Sequence, residues 1–418
     1  MKEGVQTVRE TSRPAWLHSI DAARGLAALM VMFFHAQRMP RGPVAAKFWE
    51  GEYVGLFGPE GVLGSLLYCV FGLGFLGVPL FFVISGFCIH LPFAGSRGRL
   101  ELASFGRRRW LRIFPAYAVT CVVGFIILAV RVPYGEEGLT LVNMFGHIFF
   151  WHYSLPVESH SLQVSIVLWT IVIEVHFYLL YSLLFPWLRR IGIGRSTLIA
   201  LAIGIAYRIY WAQADLADQD VLRLILPTRF ALARFGEWLL GAWLAERYVR
   251  GGSIFPEWAV FASGSRTFAF GLGCAGIAIV SVILTEASLY WLQIPVTIGF
   301  TIALGGLIMS EQQSSRASGQ EAAGRLRAVT KWLGDRSYSL YLSHFITLHV
   351  VYSIGQRVAA RVGLSYEPMS PIVLSVTAVA IVSCLVVAHG LYVLVEAPSH
   401  RLARKARVVP PKPTPRTS

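Results

Sequence analysis

The chain has 418 residues, of which 55% are apolar and only 14% charged, with a formal net charge of +14. Soluble domains carry about 25% charged residues, so this chain has too little polar side chain to coat a soluble globule. The same arithmetic excludes a disordered or fibrous chain and leaves an all-α polytopic membrane protein, a bundle of transmembrane helices. Its 12 Trp and 16 Tyr suit the interfacial belts of such bundles. The positive excess suits loops facing anionic lipid rather than a nucleic-acid partner. The five cysteines lie in apolar runs without CxxC spacing, so neither a metal site nor a disulfide framework is expected.

Residues 1–19 are polar and form an expected cytoplasmic tail. The first apolar run, 20–37, carries Asp21, Arg24 and His35. At about 100° per residue, Arg24 and His35 fall within ~20° of one helix face. They are separated by ~16 Å along the axis. Asp21 stands one turn before Arg24 and can pair with it. Ionisable groups inside a bilayer are functional candidates by default. The second span, 66–91, places Ser85 and Gly86 near its inner end, where Gly86 permits close helix approach. The basic loop 91–112 ends in Arg109 and Arg112, spaced to share a helix face, with Pro115 following where a bend is expected. Two arginines so placed suit a phosphate, or they simply obey the inside-positive rule. A third span covers 113–130, and 142–153 is too short to cross, so it is expected to be interfacial or re-entrant.

The span 163–187 carries a polar stripe of Thr170, Glu174, Tyr178 and Tyr181, with Glu174 near its middle. A carboxylate there needs a partner or a proton. Further spans are expected near 197–211, 229–246, 267–284 and 292–309. The span 338–355 holds His344 with Tyr341 one turn earlier, and 371–395 is followed by Glu396. Residues 399–418 read as a basic, Pro-rich cytoplasmic tail, expected to be disordered. That makes about ten spans in one membrane domain, 20–398. Lys and Arg number 26 on the side of the termini and 9 on the other. Both termini are therefore expected in the cytoplasm.

Six segments occur in order along the chain: SIDAARGLAALMVMFFHA, PLFFVISGF, RRRWLRIFPAY, LWTIVIEVHFYLLY, LGDRSYSLYLSH and YVLVEAP. Together they resemble the acyltransferase-3 family of bacterial inner-membrane O-acyltransferases. The resemblance implies acyl-CoA, acetyl-CoA above all, as donor and a hydroxyl of a cell-surface carbohydrate as acceptor. It carries an R-x10-H motif onto Arg24 and His35, and an RxxR motif onto Arg109 and Arg112. It carries the glutamate of a W-(S/T)-x-x-x-E-x-x-F-Y pattern onto Glu174. Where the family has a further acidic or polar residue and then Gln, this chain has Val175 and His176.

The expected mechanism has Arg24, Arg109 and Arg112 holding donor phosphates, with His35 as general base. Glu174 is expected to touch His35 directly or through one water and to orient it. Acylation of His35 itself is the alternative chemistry. Asp21, Ser85, Trp169, Tyr178, Tyr341, His344 and Glu396 are candidates for substrate contact or structural support, and no metal is expected. A transporter or flippase of a lipid-linked sugar is the competing function, since buried charges suit that too.

Overall fold

A computed structural model of the chain describes residues 17–40, 70–95, 100–131, 140–150, 167–213, 230–251, 254–285, 289–317, 324–367 and 370–405. Among the described residues there is no strand. The long helices are α1 His18–Arg38, α2 Gly77–His90 with a 3-10 turn Leu73–Leu76 before it, and α3 Leu102–Arg131. After the short α4 Leu141–Ile148 come α5 Trp169–Ile191, α6 Ile193–Gln213 and α7 Ala231–Arg250. Then follow α8 Gly264–Thr285, α9 Leu289–Ala317, α10 Gly324–Arg361 and α11 Pro371–Leu391. A π-helical turn, Tyr392–Glu396, joins α11 to α12 Ala397–Lys405.

Eight of these helical stretches are long and apolar enough to cross a membrane. The protein is a multi-pass helical membrane protein. Helices α7 and α10 fall at two other expected spans but are more polar, α7 through its charged residues and α10 through Ser, Tyr and His. The reason is their surroundings. In α7, Trp238, Leu239 and Ala242 have no exposed surface, so this helix answers to protein neighbours and not to lipid. Arg208 of α6 and Arg234 of α7 both donate to Glu237, at 2.6 and 2.7 Å, all three about 1% exposed. Buried ions persist only when paired in this way.

Small residues set the helix spacing. A Cβ on Gly86 would lie 1.9 Å from the Trp238 carbonyl oxygen, and one on Gly241 would lie 1.9 Å from that of Val83. The backbones of α2 and α7 therefore touch, as the sequence suggested for Gly86. The first turn of α1 lacks a side-chain cap of its own. The amides of His18 and Ser19 instead donate to the Glu311 carboxylate of α9, each at 2.9 Å. An anion at a helix start satisfies donors that have no partner within the helix.

Three element boundaries differ from the sequence expectation. Helix α3 starts at Leu102, eleven residues before the expected span, and runs through Pro115 without interruption. Arg109 and Arg112 are thus helical, not in a loop. Helix α10 likewise begins at Gly324, inside an expected loop. Residues 399–405, expected in a disordered tail, belong to α12, where Ser399 and Ala403 are buried. The rest of that tail, like residues 1–16, lies outside the described residues. The short α4 folds back along α3. Tyr117 Oη donates to the His147 carbonyl at 2.9 Å, and Phe150 stacks on Tyr117 at 4.6 Å. One face of α4, with Asn143 and His147, is thus buried against protein, while Val142, Phe145 and Phe149 on the other face are exposed.

Candidate active site

Two polar clusters lie along one face of α1. The first is a pocket between α1, α2, α3, α5 and α10, lined by Arg24, Ser85, Cys88, Arg109, Arg112, Glu174, Tyr178 and Tyr341 among others. Helical spacing brings Arg109 and Arg112 to it from one face of α3. Among the described residues none of these three guanidinium groups makes a hydrogen bond or ion pair. Arg109 packs instead over the rings of Phe105 and Tyr178, at 5.6 and 5.9 Å. Its Nε is buried without a partner. The expected pairing of Asp21 with Arg24 is not formed. Asp21 is 1% exposed and packs beneath Gly334 of α10, whereas Arg24 faces the pocket.

Glu174 holds the opposite wall. Its Oε1 accepts from Ser85 Oγ at 2.9 Å and from Tyr178 Oη one turn along α5. Ser85 in turn accepts from Trp238 Nε1 at 3.1 Å. An indole nitrogen only donates, so the chain of bonds runs Trp238 to Ser85 to Glu174 and ends on a carboxylate acceptor. Thr170, on the same stripe, donates to Tyr341 Oη at 2.7 Å. Trp169 is half-buried and packs in the first turn of α5 against the central hydrophobic core.

The second cluster is a histidine pair. His35 Nδ1 lies 2.9 Å from the Val31 carbonyl and 3.2 Å from His344 Nε2. His344 Nδ1 lies 2.8 and 3.1 Å from the carbonyls of Tyr341 and Leu340. A carbonyl only accepts, so His344 Nδ1 carries the proton and its Nε2 is an acceptor. His35 must then donate from Nδ1. In the neutral pair His35 is left with a bare Nε2, the nitrogen of a general base. Phe345 and Phe34 meet the His35 ring edge-on at 5.1 and 5.0 Å.

The direct contact expected between His35 and Glu174 is absent. Glu174 is engaged by Ser85 and Tyr178, and His35 by His344. Tyr341 links the two clusters, lining the pocket while its ring stands 5.7 Å from that of His344. Glu396, the last residue of the π-helical turn, is 1% exposed and accepts from Ser339 Oγ at 2.5 Å. Sequence reasoning missed Trp238 as the donor to Ser85 and His344 as the partner of His35. A single sequence shows which face of a helix a residue occupies, not which helix meets it. Among the described residues no group of three or more His, Cys, Asp or Glu is placed to hold a metal ion.

The chain belongs to the acyltransferase-3 family: the family model, an acyltransferase domain, matches residues 17–389. It is an acyltransferase by that membership. It is 24% identical over 418 residues to the acyltransferase MdmB of Streptomyces mycarofaciens, covering 96% of each chain. It is 28% identical over 340 residues to the exopolysaccharide production protein ExoZ of Rhizobium meliloti, covering 81% of this chain and 93% of ExoZ. Nodulation protein 10 of Rhizobium leguminosarum bv. viciae is 26% identical over 366 residues, 81% of this chain and 84% of the relative. No solved structure matches the chain.

Proposed function

We propose that this protein is an acyl-CoA-dependent O-acyltransferase of a bacterial inner membrane, with about ten spans and both termini in the cytoplasm. It moves an acyl group, acetyl in the simplest case, to a hydroxyl of a cell-surface carbohydrate or glycoconjugate. The observation that carries this reading is the trio Arg24, Arg109 and Arg112. Three guanidinium groups without a bonded counter-anion among the described residues line one pocket, and the charge pattern supports placing it toward the side of the termini. Guanidinium forks bind phosphates by paired charge-assisted bonds, and coenzyme A is a cytoplasmic polyphosphate. The name of ExoZ, an exopolysaccharide production protein, supports a carbohydrate acceptor.

The donor's phosphates sit at the arginines and its pantetheine arm runs outward along α1. The ~16 Å between Arg24 and His35 is of the order of that arm's reach. Ser85, Tyr178 and Tyr341 flank the arm, and Glu174 fixes the first two hydroxyls in place. His35 Nε2 takes the proton of the acceptor hydroxyl as its oxygen attacks the thioester carbonyl. The C–S bond breaks, and the departing thiolate takes the proton back from the imidazolium. His344 steadies that imidazolium by holding the Nδ1 proton in line.

The test is a transfer assay with radiolabelled acetyl-CoA in membranes containing or lacking the protein. Label on a carbohydrate fraction, with coenzyme A released in equal amount, is the expected result. Movement of a lipid-linked sugar without thioester consumption would replace this reading with the transporter one.

A further inference from the structure

Helix α12 lies outside the machinery described so far, yet it packs along α3, the helix that carries Arg109 and Arg112. The π-helical turn before it holds one residue more per turn than an α-helix, and such turns cluster at functional sites. It buries Glu396, whose Oε1 has no hydrogen-bond partner. His400, one turn on, directs Nε2 toward that oxygen at 3.7 Å. This exceeds hydrogen-bond length, and His400 Nε2 is itself buried without a partner. Buried polar atoms are almost always satisfied, and these two are left facing each other across that gap.

The surroundings give the sign of the missing partner. His400 lies within electrostatic reach of Arg24, Arg109, Arg112 and Arg404, and Glu396 within reach of Arg24 and Arg112. Among the described residues none of these four arginines makes a hydrogen bond or ion pair. Carboxylates near them include Glu396, Glu174 and Asp21, which stands one turn before Arg24. Positive charge is left over.

We propose that α12 completes the donor site, with His400 and Arg404 joining Arg24, Arg109 and Arg112 around one polyphosphate chamber. The site thereby selects a nucleotide-bearing thioester such as coenzyme A over a donor with a single phosphopantetheine phosphate. This rests on the donor reading above and goes beyond it in naming the phosphate-reading element. Arg404 is exposed, so its removal leaves the core intact.

Binding of coenzyme A and of 3′-dephospho-coenzyme A to purified full-length protein would be measured by calorimetry. Wild type, Arg404→Ala, His400→Gln and Arg112→Ala would be compared. Each α12 variant is expected to bind coenzyme A about tenfold more weakly, the scale of one charge-assisted bond. Each should also narrow the preference for coenzyme A over its dephospho form, with the thermal midpoint of the free protein unchanged. Binding weakened in Arg112→Ala but untouched in both α12 variants overturns this inference and leaves the donor reading standing. Wild-type protein that binds no coenzyme A overturns both.

Discussion

His35 Nδ1 and His344 Nε2 stand 3.2 Å apart across the contact of α1 with α10. His344 Nδ1 is committed to backbone carbonyls and the Val31 carbonyl also lies 2.9 Å from His35 Nδ1, so the second imidazole and that carbonyl together hold the proton of the first on Nδ1. His35→Ala is expected to lower acyl transfer by ~10² or more, the scale of a lost general base. His344→Ala should lower kcat by a smaller factor with the donor KM unchanged, and the double variant should be little worse than His35→Ala alone. Steady-state kinetics on purified, folded variants decide this. Normal turnover by His35→Ala would remove it from the mechanism.

Arg112→Ala and Arg109→Ala should each raise the donor KM. A lost charge-assisted hydrogen bond is worth about 1.5–3 kcal/mol, roughly ten- to a hundredfold. Arg112→Lys should recover only part of the loss, because an ammonium cannot present a planar fork. Donor saturation curves for the three proteins check this. Unchanged saturation with lowered protein abundance would point to a role in membrane topology alone.

Glu174→Gln keeps an oxygen that can accept from Ser85 and Tyr178 but removes a negative charge facing three arginines. Turnover should fall about 10²-fold if that charge serves the reaction. The donor KM should not rise, and its change should oppose in sign that of Arg112→Ala. A variant with wild-type kinetics would make Glu174 a support for the two hydroxyls and nothing more.

Lys and Arg mass on the side of the termini, and this sets the proposed orientation. A C-terminal alkaline phosphatase fusion should be inactive and a C-terminal fluorescent fusion bright. An active phosphatase fusion would contradict cytoplasmic termini.

Much of the fold was legible because apolar length and helical period are properties of neighbours in sequence. The positions of the long helices, the shared face of Arg24 and His35, and the close approach at Gly86 all follow from local pattern. The starts of α3 and α10 were not legible by the same logic. Both helices extend past their apolar stretch, and an apolar window ends where lipid ends, not where hydrogen bonding does. The site divided in the same way. Arg24, Arg109 and Arg112 line one pocket as their faces suggested. The partners of His35 and Glu174 depended on which helices adjoin, and these contacts join residues 309 and 89 positions apart. Arg208 and Glu237 escaped notice for the same reason, since neither stands out until α6 meets α7.

The π-helical turn at Tyr392–Glu396 also sets a phase. Each helical residue advances the chain by about 100°, so the extra residue rotates all of α12 relative to α11. Deleting Val393 would shorten the YVLVEAP segment but leave the other five motifs and every charge in place, and would still rotate His400 and Arg404 by about 100° relative to α11. Spacing between the last span and these two residues is therefore as informative as their identity. A relative with both residues but one position fewer between them has a differently aimed helix.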